Sequence, residues 1–190
     1  MFILGNAEML DSWSIQIRNG HEFEEDIFSK IFQSILESKF PDTFFKYDDV
    51  AIDYIDAFMR NRTRRFLVVM NKIRSSTRNY LVYIYSHAYG DNLEVAWYLF
   101  RYPTFMEVIR KFYLSLPIIN RMFATQAALG IADNLTKRLL NLDFFDELDL
   151  KAFVTNVHHS LLAVLEKILL GLGEDSSTID RHSKGFLGIS

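Results

Sequence analysis

The chain has no cysteine. Disulfides, thiolate metal sites and a cysteine nucleophile are therefore excluded. Proline is scarce, at three residues, and glycine stands at eight, so no Pro-rich or Gly-rich linker divides the sequence. No glycine-rich phosphate loop, GxGxxG turn, GxSxG elbow or HExxH helix occurs, which leaves the common nucleotide, hydrolase and metalloprotease signatures unrepresented. A net basic charge is missing too. The balance is −3 at neutral pH, so no global field favours nucleic acid.

Long apolar runs are also missing. Residues 118–142 are the nearest approach to a membrane span, yet Arg121, Gln126, Asp133, Lys137 and Arg138 interrupt them. Their longest uncharged run is the eleven residues from Met122 to Ala132. Crossing a bilayer as a helix takes about 20, so no transmembrane span is expected. The opening MFILGNAEMLDSW lacks the basic start and extended apolar stretch of a secretory signal. The expected location is cytoplasmic, with a membrane-peripheral position as the alternative.

What is abundant is phenylalanine, at 17 of 190 residues, with a mean hydropathy of +0.04. That is high for a chain of this length, and it implies apolar surface covered by another subunit or a membrane face. Charge is polarised along the chain. From His21 to Asp56 there are ten acidic and three basic residues; from Arg60 to Arg78 there are seven basic and no acidic ones.

Periodicity predicts an α+β fold, with a small antiparallel meander of three to four strands over about 50–101. An N-terminal helix and two to three C-terminal helices flank it. Residues 21–40 repeat Phe23, Ile27, Ile31 and Ile35 every fourth position, as an amphipathic helix does, and Pro41 helps stop it. Residues 49–58 fit a strand or a helix and are read as a strand. Residues 65–73, 80–86 and 93–101 are rich in β-branched and aromatic residues. Helices are expected at 104–116, 118–142 and 149–170. Asp146 is read as the N-cap of the last, with Asp149 in a capping-box position and Phe145 and Leu150 as the staple. Residues 1–172 read as a single domain, and 173–190 as a flexible tail whose apolar end, GFLGIS, could dock or engage a partner.

Three groups of residues are candidates for function. The first is the aromatic sheet. Val82, Ile84, Val95, Trp97 and Leu99 should face the helices, which turns Tyr83, Tyr85, Tyr98 and Phe100 to the opposite side. A sheet apolar on both faces is either covered twice or used as an interface. These four are the expected contacts to a protein partner or a second copy, in a non-catalytic adaptor or assembly subunit. The second is the basic segment with Arg60, Arg62, Arg64, Arg65, Arg74 and Arg78, which would suit an anionic membrane or nucleic acid. The alternative is that these residues pair with the acidic block that precedes them. The third is histidine. His87 and Asp91 flank the turn HAYGDN, and His158 and His159 are adjacent on a predicted helix, where about 100° separates them and bars chelation of one ion. They carry the remaining alternative, a small metal-dependent hydrolase. The turn is read as a hairpin tip, with Gly90 supplying positive φ. No catalytic residue, metal ligand or cofactor is assigned.

Overall fold

The computed structural model describes residues 2–3, 7–38, 43–51, 63–71, 79–103, 144–185 and 187–189. It is an α+β fold. The strands are β1 (Phe2–Ile3), β2 (Glu8–Ile17), β3 (Thr43–Ala51), β4 (Arg64–Asn71), β5 (Tyr80–Tyr89) and β6 (Asn92–Arg101). They form one six-stranded sheet in the order β1-β3-β4-β5-β6-β2. β1 runs parallel to β3, and every other neighbouring pair is antiparallel. The helices are α1 (Ile27–Glu37) and α2 (Phe144–Leu172).

β1 and β2 are consecutive in the chain yet lie on opposite edges of the sheet. In a flat sheet five strand spacings would part them by about 24 Å. The five-residue step from Ile3 to Glu8 reaches about 18 Å at most. The sheet must therefore curl, beyond the ordinary twist of a meander.

The β5–β6 hairpin arises from its own turn chemistry. Tyr89 pairs with Asn92, so only Gly90 and Asp91 make the turn. Gly90 has φ +61 and Asp91 a negative φ. This is the arrangement of a type II′ turn, whose twist matches the strands it joins. From there the two strands stay in register for ten residue pairs, to Tyr80 opposite Arg101.

Alternation then sorts the sheet into two faces. On one, Trp13, Ile17, Leu67, Val69, Val82, Ile84, Val95, Trp97 and Leu99 pack with Ile27, Ile31 and Ile35 of α1 and with the buried stripe of α2. Each buried aliphatic side chain of this kind contributes about 1.5–3 kcal/mol. On the other, Val50, Val68, Leu81 and Tyr83 form a smaller buried group.

α2 is 29 residues long and is apolar enough to cross a membrane by length and composition, but 61% of its most apolar window is buried inside the fold. Among the described residues it is the one helix that passes this test. It ends at Gly173, φ +73. The Gly173 and Glu174 N–H groups donate back to the Leu170 and Leu169 carbonyls, which satisfies the last turn as a Schellman motif does.

Several expectations are corrected. The meander itself is the four strands β3 to β6, but the sheet is larger than expected, because β2 pairs antiparallel with β6 and β1 parallel with β3. β2 carries the alternation Trp13, Ile15, Ile17 against Ser12, Ser14, Gln16. The strand read at 49–58 begins earlier and spans 43–51; positions 52–58 lie outside the described residues. The helix read from 21 begins at Ile27, after a 3-10 turn at His21–Phe23. The chain is already helical at Phe144, so Asp146 lies within the first turn of α2 and is not its N-cap. The helices expected at 104–116 and 118–142 lie outside the described residues.

Residues 173–190 read as a flexible tail from composition, but their apolar positions dock. Ile179, Leu187 and Ile189 belong to the main core. The Lys184 N–H donates to the Ser12 carbonyl at 2.9 Å. The Trp13 indole N–H donates to the Asp180 carbonyl at 2.6 Å. Asp11, buried in β2, accepts from the Ser183 hydroxyl at 3.1 Å and the Leu187 N–H at 3.3 Å. The tail thus lies along the edge strand β2, where an exposed ladder would otherwise invite pairing. Gly185 sits so close to Asp11 that an added Cβ would overlap its backbone and carboxylate. Gly185→Ala is expected to cost about 1–3 kcal/mol through overpacking, read as a lower urea midpoint at unchanged slope. An unchanged midpoint would mean that the tail contributes nothing to the folded state.

Candidate interaction surface and cleft

The far face of the sheet is aromatic. Around buried Val50, Val68, Leu81 and Tyr83 lie Phe66, Met70, Tyr98, Phe100 and Tyr102, all partly buried. Tyr83 is the hub. Phe66 and Phe100 meet it edge-on at 6.0 and 5.5 Å between centroids, the geometry that aromatic quadrupoles favour. Its hydroxyl shares a hydrogen bond with the Tyr102 hydroxyl at 2.8 Å. Burial, reinforced by that bond, pushes the Tyr83 phenol well above its ordinary range. Tyr98 is likewise raised by burial.

The four aromatic residues predicted as contacts divide. Tyr83 is wholly buried and Tyr85 nearly so, whereas Tyr98 and Phe100 keep part of their surface exposed. The rim continues to Phe44 and Tyr89, 40% and 45% exposed.

At one end of the sheet β4 and β5 part. Their ladder stops at Leu67 opposite Ile84. Arg64 and Arg65 remain paired with β3, and Tyr85 to Tyr89 with β6. A cleft of ≈ 620 Å³ opens there, lined by Thr63, Arg64, Arg65, Tyr85, Ser86 and His87 from the strands and by Glu24, Glu25 and Phe28 from the start of α1.

Its charged groups are ordered by aromatic neighbours. Arg64 donates to the Tyr85 hydroxyl and, at 2.9 Å, to the Tyr89 hydroxyl. Its guanidinium also lies over the Tyr85 ring, 5.4 Å from the centroid. The hydrogen bond to Tyr89 is the main reason the Arg64 pKa rises further. Burial raises the Tyr85 phenol, while the bonds from Tyr85 and Arg64 lower that of exposed Tyr89. Arg65 lies over the Tyr47 ring at 5.2 Å. The His87 Nδ1 and the Glu24 carboxylate are 2.8 Å apart. Ser86 is buried, and among the described residues its hydroxyl has no hydrogen-bond partner.

Of the six arginines read as an anion-binding group, only Arg64 and Arg65 fall within the described residues. Arg60, Arg62, Arg74 and Arg78 lie outside them. The acidic block does reach this end of the sheet, but Glu24 engages His87 and not an arginine.

The histidines do not come together. Asp91 is exposed, and its carbonyl accepts the His21 N–H at 3.4 Å. His159 is exposed, while His158 is fully buried. Both ring nitrogens of His158 are engaged. Nδ1 accepts the Trp97 indole N–H at 2.9 Å. Nε2 must then carry the proton and donate it to the Arg181 carbonyl at 2.8 Å. Burial is the leading cause that lowers the His158 pKa. Neither nitrogen has a lone pair to offer a metal. Among the described residues no three His, Asp or Glu side chains converge as a metal site would.

The cleft was missed in the sequence because no residue pattern marks where a ladder ends. The chain matches no known protein family, no curated protein and no solved structure.

Proposed function

We propose that the protein is a non-catalytic interaction module, an adaptor or assembly subunit, that binds a protein partner through the far face of its sheet. The observation that carries this reading is the contrast between the two faces. The helix-side cluster is large and almost wholly buried. The far-side cluster has a small buried centre ringed by Phe66, Met70, Tyr98, Phe100 and Tyr102, which retain exposed surface. An apolar core with an aromatic rim is the anatomy of a protein interface, where Tyr and Phe supply most of the contact energy.

Anionic membrane or nucleic acid is less well supported as the partner. Glu24 and Glu25 line the same cleft as Arg64 and Arg65 and would repel a polyanion. A metal-dependent hydrolase finds no support in the described histidines.

The test needs residues of the rim and not the hub. Tyr83→Ala would empty a fully buried site and cost about 3–5 kcal/mol, so unfolding would mask any loss of binding. Tyr98→Ser with Phe100→Ser removes partly buried rings at the rim instead. The double variant is expected to keep its far-ultraviolet circular dichroism and to melt cooperatively, yet to lose the partner. A double variant that binds as the parent does would remove this face from the interface.

A further inference from the structure

We propose that the cleft where β4 and β5 part binds a small zwitterion of the amino-acid class, with its carboxylate on the arginine wall and its ammonium on the glutamate side. The site adjoins the far-face rim through Tyr85, whose ring meets that of Phe66 at 5.3 Å, but its test does not depend on the interface. Three observations converge here.

The first is size and shape. At ≈ 620 Å³ the cleft falls within the range of roughly 300–1,000 Å³ usual for small-ligand sites. It exists because the sheet opens: β4 and β5 supply one wall, and the turn at Glu24 and Glu25 with Phe28 of α1 supplies the other.

The second is charge. Arg64 and Arg65 stand on β4, and Glu24 and Glu25 stand before α1. Among the described residues Arg65 has only its ring contact with Tyr47, and Glu25 has no ion pair. The two arginines and two glutamates line one cavity without pairing with each other; His87 holds Glu24 at 2.8 Å, which leaves Glu25 as the carboxylate for an ammonium. A molecule with one charge of each sign bridges such a gap. A dianion would gain the arginines but face two carboxylates, and a simple cation would meet the reverse.

The third is the Ser86 hydroxyl. It lines the cleft, is 6% exposed and has no hydrogen-bond partner among the described residues. A buried hydroxyl without a partner destabilises the empty fold, and a ligand carboxylate within reach would satisfy it. Phe28 and the Tyr85 ring, on which Arg64 already rests, supply apolar surface for the ligand's side chain.

The test is a titration of the full-length, isotope-labelled protein with pools of the standard amino acids at millimolar concentration, read by the backbone amide signals of Arg65, Ser86 and His87. Pools that respond are resolved into single compounds. The expected result is a saturable shift of those signals by at least one amino acid. Its carboxamide and its N-acetyl form, each lacking one charge, should bind about tenfold more weakly or worse. Ser86→Ala should weaken binding several-fold and leave the melting temperature unchanged or higher, because the unpaired hydroxyl is gone. Arg65→Gln, at an exposed position, should weaken binding without unfolding. No shift at these residues with any pool overturns the proposal. So does equal binding of the capped forms, which would mark the cleft as an apolar crevice indifferent to charge.

Discussion

Removal of residues 179–190 leaves the protein largely unfolded. That is the expected result of the largest perturbation the structure suggests. The deleted segment carries Ile179, Leu187 and Ile189, all buried in the main core. At about 1.5–3 kcal/mol each, their loss alone approaches the 5–15 kcal/mol by which small domains are usually stable. Polar consequences add to it. The Trp13 indole loses the Asp180 carbonyl, His158 loses the Arg181 carbonyl, and Asp11 loses the Ser183 and Leu187 donors. The edge of β2 is also laid bare. Thermal melts followed by circular dichroism and by tryptophan emission provide the check. A truncated chain that melts cooperatively within a few degrees of the parent would show that the tail is an appendage.

His158→Leu is the second large effect, expected to cost about 2–4 kcal/mol. Leucine preserves bulk but cannot accept the Trp97 indole N–H, and Trp97 has no access to solvent. An orphaned buried donor costs roughly 1–3 kcal/mol. The remainder is lost packing, since the His158 ring meets those of Trp13 and Trp97 edge-on at 5.3 and 5.8 Å. His158→Gln can accept from Trp97 and donate to Arg181 at once, and should recover more than half of the loss.

The same residue sets a pH dependence. Its folded pKa lies below the ordinary value, with burial as the first cause. The unfolded chain therefore takes up the proton first as pH falls. Stability is full above the unfolded pKa, about 6.5, and declines as pH drops below it towards the folded value. The urea midpoint should fall between about pH 7 and pH 5.5, and that slope should flatten in His158→Gln. A parent midpoint that is level across this interval would contradict the buried neutral imidazole.

How legible this was depended on how local each signal is. The β5–β6 hairpin was readable because Gly90 and Asp91 punctuate two β-rich runs and dictate the turn. The faces of β5 and β6 followed from strict alternation. β2 carries a comparable alternation around Trp13, yet Asp11 at its centre looks like a loop residue until its partners Ser183 and Leu187 are known. Those partners lie more than 170 positions away. The acidic residues at 22–26 suit a first helical turn and so suggest an early start for α1, whereas the chain spends His21–Phe23 in a 3-10 turn. One buried and one exposed histidine on α2 could be inferred from the neighbouring apolar positions. That His158 would be held by an indole and a tail carbonyl could not. The cleft was the least legible feature, since it exists only because one ladder stops at Leu67 and Ile84.

The interaction claim is tested most directly by native mass. The parent and the Tyr98→Ser, Phe100→Ser double variant would be compared in gentle cell extracts by size exclusion with light scattering. The account predicts that the parent elutes in a discrete complex, or as a dimer, and that the variant elutes as a folded monomer of 22.3 kDa. A parent that elutes as a 22.3 kDa monomer, or a variant that stays in the complex, would contradict it.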